Sequence, residues 1–392
     1  MPRVSRRSVL LVLPLVASVA PSVAAQEDPG AANRQRLEAM QAALDQAYLL
    51  PPSRLGDLGY RIDWQTAVPL SPNATLRGAF PRGDGLYLHD SSNLLTRMNL
   101  AKGASVWQSP VGSSTGEMLD VILASPGGEP SVLAVTRTEV DVFDESSGTM
   151  RSRQRLEPTA FTPPAQVGNF FIYGTRGGKV LWHQFMIGHP WRGNSLPGAV
   201  AAAPLIADGM AFAVGSTGRI LALDAETTRL RWEKQLIAPI SARPAFADGL
   251  LLVAGGDQYL WAYDARNGRT VWSYFTESPL TTSPTAIGGS VYQYVPGEGL
   301  VCLSLRPTDR IDGEVRWRCA DGKGEVLGVH RGKLLLWDGG ERTMRIVDSS
   351  TGQVAASIPL PRVSAIVPNG SDSPGMVLLS EDGFVLHLLP QG

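Results

Sequence analysis

Charged side chains are scarce in this sequence. Asp, Glu, Lys and Arg make up 18% of it, and 35 basic groups nearly cancel 36 acidic ones. A nucleic-acid binder needs a clear basic excess to neutralise phosphates, so that class is disfavoured. Cysteine is scarcer still. Cys302 and Cys319 are the only two, so no lipobox is present and N-terminal acylation is not expected. The five histidines (His89, His183, His189, His330, His387) are scattered, with no pair at the spacing of a zinc motif. Beyond the first 25 residues no apolar run approaches the ~18–20 residues that a spanning helix needs, so no transmembrane span is expected. Long stretches free of helix breakers are also lacking, which argues against a helical bundle or coiled coil.

Turn formers abound instead. Glycine and proline contribute 42 and 29 of the 392 residues, well above average usage. Hydrophobic residues make up 43%, so the low hydrophobicity and high net charge of a disordered chain are absent. Many short strands separated by turns fit this composition.

Residues 1–25 read as a secretory signal peptide. Arg3, Arg6 and Arg7 form a positive start, residues 9–19 are apolar, and Val23-Ala24-Ala25 supplies small residues for cleavage before Gln26. The segment around Arg6-Arg7 also resembles a twin-arginine signal, and ordinary Sec export stays open beside it. The expected location is the periplasm or the exterior. Residues 26–59 are expected to hold a helix, roughly 31–49, and a linker. Leu37, Met40, Leu44 and Tyr48 share one helical face, and Pro51-Pro52 ends it. Such a helix either packs on the neighbouring domain or meets a partner.

From Trp64 onward the sequence repeats. Pro164, Pro204, Pro244 and Pro284 recur every 40 residues. Third-strand segments start near Asn93, Glu139, Lys179, Arg219, Tyr259, Leu300, Thr343 and Phe384. Each unit reads as four short strands. The second is a compact apolar run, as at Met210–Val214. The third ends near Asp, as at Asp224, Asp264 and Asp348. A turn with Gly103, Gly148, Gly268 or Gly352 follows. The fourth strand carries Trp107, Trp272 or Trp317, while Trp232 follows Thr228 where the others have Gly. Four strands per ~41 residues, eight times over, predict an all-β, eight-bladed propeller over residues 60–392. The last unit lacks a fourth strand, and residues 60–70, with Trp64, are expected to supply it and close the ring.

The pattern Ala222-Leu223-Asp224…Trp232 and Ala262-Tyr263-Asp264…Gly268…Trp272 resembles the repeat of PQQ-type, quinoprotein-like propellers, a likeness that covers roughly 330 residues. Units 2, 7 and 8 lack the Trp, and unit 3 is degraded. That family includes PQQ-dependent dehydrogenases and BamB-like scaffolds of outer-membrane barrel assembly. The first resemblance implies PQQ with Ca²⁺, an adjacent Cys-Cys pair and metal-binding carboxylates. This chain has no adjacent cysteines. Its candidate carboxylates, Glu117, Asp120, Glu157, Glu277, Asp321 and Glu325, form no convincing set. The BamB-like resemblance implies a monomeric, non-catalytic scaffold with protein partners in the cell envelope and no cofactor. A quinoprotein dehydrogenase or ligand-binding propeller is the alternative.

Other chemical signals are weak. Gly112 to Gly116 matches G-x-S-x-G but lies in a loop between strands, without the strand–helix setting of a nucleophile elbow. Asp309, Asp312 and Glu314 crowd one loop, which reads as a solvated turn before a Ca²⁺ site. The fixed place of Trp64, Trp107, Trp232, Trp272 and Trp317 makes them blade-packing residues before ligand platforms. Loops from fourth to first strands gather on one face, where Arg77, Arg243, Lys323 and Arg362 are the candidate basic groups for a partner. Cys302 and Cys319 fall on the third and fourth strands of unit 6. A loop centred near residue 310 sets them opposite each other, so a disulfide is expected, with two buried thiols as the other reading.

Overall fold

Apolar runs of five or six residues alternate with Gly, Asp and Asn turns, and the computed structural model shows a strand at each run. The structure describes residues 29–112, 117–308, 311–370 and 375–391. The targeting segment, residues 113–116 of the G-x-S-x-G match and Asp309 lie outside these. The chain divides into two units, one ending at Ala43 and the other running from Leu44. In the first, part of the helix Pro29–Ala47 is described, with Leu37 and Met40 exposed.

The second unit is an eight-bladed propeller of four-stranded antiparallel sheets. The first seven blades span 76–110, 118–155, 165–195, 205–235, 245–275, 285–319 and 325–359. Blade 8 combines residues 365–390 with Tyr60–Ala67, which pairs antiparallel with Phe384–Pro390 from Tyr60↔Pro390 to Ala67↔Phe384. The N-terminal strand is thus the missing fourth strand. First strands of neighbouring blades touch one another around the ring, so they are innermost. In an antiparallel meander the connections alternate between the two ends of a blade. Fourth-to-first and second-to-third connections therefore share one end, called the loop face below. First-to-second and third-to-fourth turns share the other.

The repeat signature has a physical reason at each position. The Asp at the end of the third strand accepts the turn's free N–H groups. Asp224 takes Thr227 N at 2.8 Å, Asp144 takes Ser147 N at 2.8 Å, and Asp348 takes Thr351 N at 2.9 Å. The fourth-strand Trp bonds outward from its own blade. Its indole N–H donates to the turn carbonyl of the next blade: Trp64 to Leu100, Trp107 to Glu145, Trp232 to Ala265, Trp272 to Leu305 and Trp317 to Ser349, all at 2.8–2.9 Å. The turn Gly belongs to the same joint. A Cβ on Gly148 would lie 2.5 Å from Trp107, and one on Gly268 2.7 Å from Trp232.

Blade 3 breaks this pattern and repairs it. Opposite the fourth-strand Trp sits a third-strand residue, small in blades 4 and 5 (Ala222↔Trp232, Ala262↔Trp272). In blade 3 the pair is inverted to Trp182↔Arg192. Trp182 donates to Ala225 O at 2.7 Å, so the stitch to blade 4 survives from the neighbouring strand. The receiving turn then meets no fourth-strand indole from blade 3, which explains why Thr228, at φ +65°, stands where other turns have Gly.

The disulfide expectation needs correction. Both cysteines are free and buried. In all eight blades the pairing of third and fourth strands slips by one residue beside the Trp position. In blade 6 Leu303 pairs with Val315, which centres the loop on residue 309 instead of the 310.5 that a 302–319 pair requires. Cys302 faces Trp317, and Cys319 faces Leu300. Such diagonal neighbours lie ~7–8 Å apart, too far for a bond. Cys302 fills the small-residue slot that Ala222 and Ala262 fill elsewhere.

Candidate functional site

Blade 6 is unusual in its second strand. Where blades 4 and 5 have MAFAV and LLLVA, it has Ser290–Val295, SVYQYV, which brings Tyr292 and Tyr294. Gln293, fully buried between them, donates its amide to Thr282 O at 3.1 Å and Tyr294 O at 2.9 Å. This fixes the connection entering the blade against its sheet.

Beside that wall lies a cleft of about 700 Å³, within the usual range for ligand sites. It is built from blades 6, 7 and 8. First-strand residues Thr285, Val326 and Ile366 line it, so it opens toward the centre of the ring. Tyr292, Tyr294 and Trp337 contribute aromatic surface. Three charged side chains reach it, and two are occupied. Lys323 Nζ lies 3.3 Å from Glu341, and Asp338 lies 3.2 Å from Arg345. Glu325 is exposed and lines the cleft.

The four basic residues of the loop face do not converge. Lys323 alone lines the cleft. Arg243 adjoins it through its backbone N–H, which donates to Ser283 Oγ at 3.1 Å. The residue is exposed, yet the protein crowding its guanidinium lowers its pKa, while the charge of Asp120 acts the other way. Asp120 in turn accepts from Arg82 at 2.6 Å, and burial raises its pKa despite that partner. Arg362 is engaged elsewhere. It donates to Gln46 O at 3.3 Å and stands 4.9 Å over the Phe384 ring. Arg77 is exposed on the first strand of blade 1 and lines no part of the cleft.

Sequence reasoning missed Tyr292, Tyr294, Trp337 and Ile237. The signal for the two tyrosines is the departure of their strand from its neighbours' aliphatic text. Ile237 lies in the connection from blade 4 to blade 5, on the loop face, and is 97% exposed. The carboxylates considered for a metal are dispersed. Glu117 pairs with Arg137 and Asp120 with Arg82, and Glu325 has no ion-pair partner among the described residues. Among the described residues no three His, Cys, Asp or Glu side chains come together as metal ligands. The two cysteines lie on different strands of blade 6. These residues do not fit PQQ with Ca²⁺.

The family model described as outer membrane protein assembly factor BamB matches residues 136–318 and 238–367, together more than half of the chain. No curated protein matches the sequence. Among solved structures, BamB from Moraxella catarrhalis superposes with a TM-score of 0.64 at 18% identity, over 83% of this chain and 98% of that one. The computationally designed Ika8 protein gives 0.63 at 13% identity, over 80% and 96%. The C-terminal WD40 domain of Sif2 gives 0.62 at 12%, over 85% and 99%. A designed protein and a WD40 domain score almost as well as BamB, so these likenesses show the fold alone.

Proposed function

The chain belongs to the family of outer membrane protein assembly factor BamB, and from that premise we propose that it is a non-catalytic scaffold of the cell envelope that holds protein partners on its loop face. The observation that carries this reading is the cleft of blades 6–8. It is open, walled by three blades and lined by aromatic, aliphatic and hydroxyl groups, without a convergent set of titratable side chains. Ile237, which stands free on the same face, fits a surface that meets another protein. A role in outer-membrane protein assembly follows from the family and is part of the proposal.

A photo-crosslinker placed separately at Ile237 and at Glu325, in intact envelopes, tests it. We expect both positions to capture one outer-membrane assembly component. Lys323→Glu combined with Arg243→Glu should weaken that capture while the melting temperature holds. Arg362 is spared because its reversal would disturb the contacts with Gln46 and Phe384. Absence of capture from both positions overturns the proposal. So does a stoichiometric quinone absorbance after reconstitution with PQQ and Ca²⁺.

A further inference from the structure

Blades 2, 3 and 4 have equivalent positions 40 residues apart, so blades 2 and 4 serve as internal controls for blade 3. At the tip of the third-to-fourth turn blade 2 has Ser146-Ser147 and blade 4 has Glu226-Thr227. Blade 3 has Met186-Ile187, which are 57% and 55% exposed. At the residue skipped in the strand pairing, where the extra residue re-aims its side chain, blades 2 and 4 carry Arg151 and Arg231. Each pairs with the Asp that ends its third strand, Asp144 or Asp224. Blade 3 carries Trp191 there, 41% exposed, and Gln184 in place of the Asp. Trp191 packs at a tilt against Phe170 instead, with ring centroids 5.1 Å apart. A polar turn and an ion pair are thus both replaced by apolar groups on one blade, between neighbours that keep the polar version.

Packing does not account for this exchange, because Trp182 already makes the inter-blade bond and Met186, Ile187 and Trp191 stay exposed. We propose that this end of blade 3 is a docking surface for an extended segment of another protein, one that carries an apolar side chain next to a carboxylate. The carboxylate follows from Arg192. Its guanidinium lies 4.4 Å over the Trp191 ring, and no described carboxylate pairs with it. A second copy of the chain fits poorly, because a two-fold contact centred on Trp191 sets the two Arg192 side chains together. An anionic bilayer fits poorly too, since its broad charged surface meets Glu145 and Glu226 of the adjacent turns, whereas a narrow segment can set its carboxylate on Arg192 between them. The surface lies at the opposite end of the blades from the cleft, so the two stand or fall separately.

Methyl NMR of Met186 and Ile187 in the full chain provides the test, with the peptide acetyl-Asp-Leu-Phe-Asp-Leu-amide as probe. Saturable shifts are expected. The variant Met186→Ser, Ile187→Ser, Trp191→Arg transplants the residues of blade 2. In it, calorimetric titration of the same peptide should show binding roughly tenfold weaker or lost, with melting unchanged. Met186→Ser with Ile187→Ser alone keeps the Trp191–Phe170 contact and should weaken binding with less risk to the fold. The idea is overturned if the peptide gives no saturable shift or if its lysine counterpart binds equally well. It is also overturned if phosphatidylethanolamine–phosphatidylglycerol vesicles sediment the parent but not the variant, or if the parent alone self-associates in sedimentation velocity.

Discussion

Trp272 couples two blades by itself. It is fully buried, and its N–H reaches Leu305 O at 2.9 Å. Trp272→Ala should cost roughly 3–5 kcal/mol, the range for large core aromatics. Trp272→Phe keeps much of the apolar surface and strands the same carbonyl, so it should cost less, about 1 kcal/mol or somewhat more. Chemical denaturation of both variants separates the two contributions, since both lose the hydrogen bond and only Phe keeps the ring, and equal losses would mean that the apolar surface adds nothing. His183 sets a pH dependence. It is fully buried, stacked at 4.7 Å on Phe171, with Nε2 3.0 Å from Gln154. Burial lowers its pKa in the fold from 6.5 to about 4. The unfolded chain therefore takes up the proton first. The stabilisation is complete above about pH 6.5, is lost as pH falls toward 4, and changes no further below that. At 1.36 kcal/mol per pH unit the loss is about 3 kcal/mol. His183→Phe should flatten that part of a stability–pH curve, and an unchanged slope would assign it to other groups.

At the scale of the turn, two glycines separate steric from conformational demands. Gly148 and Gly209 have nearly the same backbone, φ +69° and +71°. A Cβ on Gly148 meets Trp107 at 2.5 Å, while one on Gly209 meets nothing within 4 Å. Both Gly→Ala changes carry the cost of a left-handed residue, on the order of 1 kcal/mol. Only Gly148→Ala also pushes an indole off its carbonyl. Its melting temperature should fall well below that of Gly209→Ala, and equal melts would show that the joint between blades yields. The joint explains what could be read from the sequence. Third strands, turn glycines and tryptophans repeat as text because each has one geometric duty, and they placed all eight blades. The inverted pair of blade 3 was illegible, since Trp182 does the work of a fourth-strand residue from the third strand. The cysteine pairing failed because nothing in the spacing marks where the loop turns, and it turns at residue 309, more than a residue before the midpoint of the two cysteines. The cleft was half legible. Lys323 and Glu325 stood out by charge, but Trp337 looked like any strand aromatic until three blades came together around it.

For the whole ring, the segment before the first strand matters more than a linker would. Leu49, Leu50 and Leu58 are buried with residues of blades 7 and 8, and Gln65 bonds to Leu49 N at 2.9 Å and Ala47 O at 3.0 Å. A chain starting at Leu44 keeps all of these. A chain starting at 59 loses three buried leucines and should be several kcal/mol less stable, at roughly 1.5–3 kcal/mol for each. Starting at 71 also removes the closing strand and should leave blade 8 open. Thermal melts of the three truncations should rank in that order, and no difference between the first two would mean that the leucines are dispensable.

Closure also sets a clock. Asp63 on the closing strand meets His387 across 324 residues, at 3.1 Å. During synthesis the strand Tyr60–Ala67 exists long before its partner. At ~5–20 residues per second that delay is roughly 16–65 s. Throughout it, a strand that ends up half-buried has a free edge while the blades after it are being made. The exposure ends only when Phe384–Pro390 has been made and lies down beside that edge.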